Sequence, residues 1–115
     1  RTYESVLLLR TIYISGMIND DPNYMIKFKK AGHHLYVIGH IPILPIDLPE
    51  GLTDAEYLML DHILINMCDA LYMLTDWTKS EGAMIEHEFA VRGGKKIFYQ
   101  DCETSEKELE ALGEE

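Results

Sequence analysis

CDALYMLTDWTKSEGAMIEHEFA, residues 68–90, is the stretch whose pattern fixes the fold class. Ala70-Leu71-Tyr72-Met73-Leu74 is a short continuous apolar run, as in a strand buried on both faces. A polar turn follows, and Ser80-Glu81-Gly82-Ala83 reads as a helix start, with Glu86 about one turn inside that helix. Strand, turn and helix in this order form the unit of an open α/β sheet. Ligands bind such sheets where strand C-terminal ends meet helix N-termini. The segment therefore places a carboxylate where ligands bind, and Glu86 is a candidate active-site residue. The competing reading is a solvated helix face.

Working outward, residues 6–14 (VLLLRTIYI) read as a central strand ending in a tight turn at Ser15-Gly16. Asn19-Asp20-Asp21-Pro22 offers helix caps, and residues 24–31 carry helical spacing with Tyr24, Phe28 and Ala31 on one face. Gly32 is the expected helix stop, and residues 35–38 the expected second strand. Residues 40–51 contain Pro42, Pro45 and Pro49 and read as a long loop, a common form of binding loop or lid. Thr53-Asp54-Ala55-Glu56 is a capping box opening a helix to about residue 67. The third strand spans residues 70–74. A third helix spans residues 80–92 and stops at Gly93-Gly94, and a fourth strand spans residues 96–99. A second capping box, Ser105 to Glu108, opens a polar last helix. Alternating strands and helices predict an α/β fold. It would be a small doubly wound parallel sheet of about four strands in a Rossmann/flavodoxin-like three-layer sandwich. Residues 1–102 are expected to form the domain, and residues 103–115 an acidic C-terminal helix or tail.

The 115 residues suffice for one domain with a core, and 47% hydrophobic content fits a soluble globular chain. No run approaches the roughly 18 apolar residues of a membrane span, and no signal peptide pattern is visible. Six Glu against one Lys from residue 103 onward supply half of the net charge of -10. No basic face is evident, so neither nucleic acid nor a membrane is expected as a partner. Cys68 and Cys102 lack paired spacing, which favours reduced thiols and a cytoplasmic location.

Several residues are candidates for chemistry. Glu86 and Glu88 point to different faces of their helix, so only one looks into the crevice beside Gly82 and Ala83. The helix N-terminus would favour an ionised Glu86, and an ionised, shielded carboxylate can act as a nucleophile. Tyr13 sits near the end of the first strand, where it could donate a hydrogen bond to that carboxylate; a packed strand aromatic is the plainer reading. Gly16 could let a ligand approach the backbone, or serve only the turn. Asp69 precedes the third strand and so falls at the wrong edge of the sheet, whereas Asp76, just after it, is better placed. Trp77 lies above the crevice as a stacking platform for a flat base or as a loop anchor. The five histidines show no metal-ligand spacing, so no metal is expected. The methionines, including Met59, Met67, Met73 and Met84, read as core filler. No GxGxxG, GxxxxGK[ST] or Gly-x-Ser-x-Gly motif is present.

Tyr13-Ile14-Ser15-Gly16, Cys68-Asp69-Ala70 and Ser80-x-Gly82-Ala83-x-x-Glu86-x-x-x-Ala90 resemble the nucleoside 2-deoxyribosyltransferase superfamily, including a small branch found in bacteria and phages. The 2'-deoxynucleoside 5'-monophosphate N-hydrolases are also similar. The resemblance implies an N-glycosidic hydrolase or transferase of nucleotide metabolism, acting on a nucleoside or nucleotide without a cofactor, as a homodimer or larger homo-oligomer. It implies Glu86 as nucleophile, Tyr13 as its hydrogen-bonding partner, and Asp69 as a site aspartate despite the geometric objection. Ser80 matches a phosphate-contacting serine, and Gly16 and Gly82 match pocket glycines. Ser15, Asp76, Trp77 and Ala83 complete the expected substrate contacts, with Asp69 or Asp76 touching the leaving base. The loop after Gly16 departs from the hydrolases: it lacks an Arg, and Asp20 and Asp21 would repel a 5'-phosphate. A non-catalytic nucleotide-binding or sensing module and a purely structural protein are the alternatives.

Overall fold

The computed structural model describes residues 11–113. Four parallel strands, β1 (Thr11–Ser15), β2 (Ile41–Ile43), β3 (Ala70–Met73) and β4 (Lys96–Tyr99), form one sheet in the order β2-β1-β3-β4. Four α-helices cover it: α1 (Tyr24–Val37), α2 (Asp54–Met67), α3 (Glu81–Arg92) and α4 (Glu103–Gly113). The expected doubly wound α/β sandwich is the observed one. The part of the first strand read at residues 6–10 lies outside the described residues.

Side-chain parity divides the core. Ile12 and Ile14 of β1 face α1 and α4 with Tyr72, Phe98, Phe28, Leu35 and Leu109. Tyr13 faces α2 and α3 with Leu71, Met73, Ile65, Ala83 and Ala90. Alternate residues on a strand point to opposite faces, and all four β3 side chains are buried, as the apolar run required.

Two readings of the first half are corrected. Helix α1 runs through Gly32 to Val37, so residues 35–38 are not a strand. Its buried positions are Phe28, Ala31, Gly32 and Leu35, spaced i, i+3, i+4 and i+7. Gly32 continues that stripe, where an added Cβ would lie 3.3 Å from Leu44. The stop is Gly39 instead, at φ 103°, a left-handed conformation suited to glycine. The second strand is Ile41–Ile43, inside the segment read as loop. Pro42 is tolerated because β2 lies at the sheet edge, where one side of the strand makes no ladder.

The capping box at Thr53 forms as expected, with Thr53 Oγ1 accepting from Glu56 N–H and the Glu56 carboxylate accepting from Thr53 N–H. The one expected at Ser105 does not form. Helix α4 already starts at Glu103, and Ser105 Oγ accepts from Tyr99 N–H at the end of β4. The other end of α4 is set by backbone contact, since an added Cβ at Gly113 would lie 1.7 Å from the Ile38 carbonyl oxygen.

Candidate active site

In the order β2-β1-β3-β4 the chain leaves β1 first to one side, then returns to the other. Strands β1 and β3 therefore flank the switch point, and in open α/β sheets ligands bind beyond the carboxyl ends of the strands at this point. Helix α3 starts at this edge. Ser80 caps it, its Oγ accepting from Ala83 N–H at 3.1 Å.

Glu86 is 7% exposed, and both its oxygens are held. Tyr13 Oη donates to Oε2 at 2.7 Å, and Ser15 Oγ donates to Oε1 at 2.7 Å. The two hydroxyls lie two residues apart on β1 and so share the face toward α3. Burial pushes the Glu86 carboxyl up to about 8; the two hydroxyls pull it down, and the neighbouring Asp61 carboxyl raises it again. The expectation that the helix N-terminus keeps Glu86 ionised is thus overridden by loss of solvent.

Asp61 was not singled out by its sequence. It lies on α2, half-buried beside both Glu86 and Tyr13, with Oδ1 shielded from solvent and without a hydrogen-bond partner. Burial raises its carboxyl too, and the neighbouring Glu86 and Tyr13 side chains pull it back down. A signal existed: Asp61, Ile65 and Cys68 follow i, i+4 and i+7, and the latter two are fully buried. An acid on the inner stripe of an otherwise apolar helix marks a buried carboxyl. Two carboxyls in contact cannot both ionise readily, so the pair retains a proton into the neutral range.

The other expected residues are placed as follows. Asp69 is not brought to Glu86. It lies at the opposite, amino-terminal edge of the sheet, where its Oδ2 accepts from Thr11 N–H at 3.1 Å, as the geometric objection anticipated. Asp76 is at the correct edge, but its oxygens are engaged by Met17 N–H and Lys27 Nζ. Trp77 stacks on His87 with ring centroids 4.3 Å apart, and Tyr99 Oη lies 2.7 Å from His87 Nε2, which makes Trp77 a loop anchor on one face. Gly16 is set by packing, because an added Cβ would lie 2.7 Å from Leu74 Cδ1 and 2.9 Å from Leu74 Cβ. Ala83 is buried in the core, whereas Gly82 is exposed, and an added Cβ there would meet only Ser80 Oγ, at 3.9 Å.

A family model described as Domain of unknown function (DUF4406) matches residues 10–99. The chain belongs to this family. The DUF4406 match contains Glu86, Tyr13, Ser15 and Asp61 and leaves out α4. No curated protein matches. Among solved structures, the 2-desoxiribosyltransferase from Leishmania mexicana is similar, with TM-score 0.65 and 20% identity over 78% of this chain. The chain spans 63% of that transferase's length. A conserved protein from Enterococcus faecalis V583 is similar at TM-score 0.61 and 20% identity, over 92% of this chain and 76% of its own. At these identities the likeness is one of fold, and it is the fold that the resemblance to the nucleoside 2-deoxyribosyltransferases implied.

Among the described residues, no group of three or more His, Cys, Asp or Glu gathers to hold a metal. No described helix is long and apolar enough to cross a membrane.

Proposed function

We propose that the protein cleaves the N-glycosidic bond of a (deoxy)nucleoside or nucleotide, with Glu86 as the nucleophile. The observation that carries this reading is the buried Glu86 carboxyl, gripped by the Tyr13 and Ser15 hydroxyls at the switch point of the sheet. Two hydroxyl donors fix the carboxylate's rotamer and stabilise its ionised form at the moment of attack.

In this mechanism the proton held by the Glu86–Asp61 pair moves to Asp61, which leaves Glu86 ionised. A Glu86 oxygen forms a bond to the anomeric carbon as the bond from that carbon to the base nitrogen breaks. Asp61 gives its proton to the departing base. The transition state has oxocarbenium character, and the product is a glycosyl ester on Glu86. Water then attacks the anomeric carbon, Asp61 takes its proton, and Glu86 is released; a second base in place of water makes the reaction a transfer. Two inversions give net retention. Asp61 thus takes the leaving-base role first expected of Asp69 or Asp76.

The exposed stripe Met59, Ile63 and Met67 on α2, beside exposed Met84 and Ile85 on α3, supports assembly into a homo-oligomer across the face that carries the site. Both cysteines are free, in keeping with a reducing cytoplasm.

The test is chromatographic detection of free base from a panel of ribo- and deoxynucleosides and their 5'-monophosphates, with and without an acceptor base. Wild type is expected to release base from at least one, and Glu86→Gln from none. A second reading, a nucleotide-binding module without turnover, is favoured by the burial of Glu86 beside Asp61, which raises its carboxyl toward the neutral, non-nucleophilic form. Saturable binding without base release, unchanged by Glu86→Gln, would establish it.

A further inference from the structure

The loops that leave β1 and β3 meet at the rim of the site, within three residues of the Ser15–Met73 register pair. Backbone N–H groups and a cation at such a rim would ordinarily receive an anion. Here both are already taken by the protein's own carboxylates. Asp76 Oδ1 accepts from Met17 N–H at 3.0 Å, and Asp76 Oδ2 accepts from Lys27 Nζ. Lys27 also pairs with Asp21 at 2.5 Å. All three side chains are about three-quarters or more buried. Burial lowers the Lys27 ammonium, but the two carboxylates outweigh it and hold the group charged. The N–H of Ala83 at the start of α3 is likewise satisfied, by Ser80.

We propose that Asp76 fills the place an anion would take at this rim, and that the site therefore selects a nucleoside with a free 5'-hydroxyl over its 5'-monophosphate. This rests on the reading of the site as one that binds a nucleoside. A phosphate entering beside Met17 would have to displace Asp76 from a backbone donor and a paired lysine. It would then sit between Asp21 and Asp76, two like charges. A hydroxyl meets no such cost, since it can donate to a carboxylate already in place. Lys79, exposed on the short turn before α3, stands outside the cluster.

Titration calorimetry on Glu86→Gln protein, which is expected to bind without turnover, reads the selection directly. A deoxynucleoside is expected to bind at least about tenfold more tightly than its 5'-monophosphate. Adding Asp76→Asn, which keeps the side-chain shape, should narrow or reverse that ratio. Lys27→Gln on top of Asp76→Asn should remove the gain, because it takes away the cation that the amide had freed. Equal or tighter binding of the monophosphate would overturn the proposal, and loss of that binding in Lys79→Gln would place the phosphate on Lys79 instead. An unchanged ratio in Asp76→Asn, or no binding of either ligand, would overturn it too. Failure of the catalytic reading shows separately, as absence of base release from wild type while this binding persists.

Discussion

Glu86 illustrates how two opposing influences decide a buried carboxyl. Removal from water favours the neutral acid, while hydroxyl donors favour the ion; here burial wins, helped by Asp61. Opposite changes to these partners should therefore move the proposed activity in opposite directions along the pH axis. Tyr13→Phe and Ser15→Ala each delete a donor to the ion and should shift the acid limb of the rate profile to higher pH. Asp61→Asn deletes a negative neighbour and the proton donor, so Glu86 should ionise at lower pH, with slower base departure. Initial rates from pH 5 to 9 would check both signs, and a common direction for all three would refute the account. Stability carries the same group with its own sign. The Glu86 carboxyl is raised from 4.5 to about 8, so between these values the unfolded chain loses its proton while the folded one keeps it. Stability from this group is then full below about pH 4.5 and is lost as pH rises toward 8. Glu86→Gln should flatten that decline in denaturant midpoints measured across the window.

Helices and strands differ in how plainly they announce themselves. The α2 capping box reads directly because cap chemistry is local, and Thr53→Ala should cost about 1 kcal/mol, seen as a fall of a few degrees in melting temperature. The strand β3 reads directly because burial on both faces leaves no polar position. The region from Gly32 to Ile43 reads wrongly because its deciding contacts are distant in sequence. Gly32 is a stop by composition but an interior position by its packing on Leu44, and Pro42 forbids a central strand but not an edge one. Among site residues, Tyr13 and Glu86 were legible through their places at the end of a strand and in the first turns of a helix together with a family resemblance. The burial of Asp61 has its signal in the stripe shared with Ile65 and Cys68, but its place beside Glu86 has none, since nothing local shows that α2 lies beside α3. Gly16 is open in sequence to a ligand's approach or to a plain turn, and the structure packs Leu74 where its side chain would go. Gly16→Ala should therefore destabilise by about 1–3 kcal/mol through overpacking, in denaturant titrations with no ligand present.

The assembled protein places its chemistry and its uncovered apolar surface on the same side of the sheet. Helices α2 and α3 supply Asp61 and Glu86 inward and the Met59, Ile63, Met67 stripe outward. If that stripe is an interface, Met59→Glu with Ile63→Glu should lower the mass seen by light scattering while leaving the circular dichroism spectrum intact. An unchanged mass would remove the stripe from consideration as a contact between copies. The acidic net charge works the other way, since two chains of charge -10 repel. Added salt should therefore strengthen any such association.

The two hydroxyls that hold Glu86 come from positions 73 and 71 residues earlier in the chain. Such long loops close late, so a ribosome-bound or refolding chain can complete α1 and α2 and still lack the grip on Glu86. Recovery of the proposed activity after dilution from denaturant should lag the return of helical signal, which would make this carboxyl a clock for the last docking step of folding.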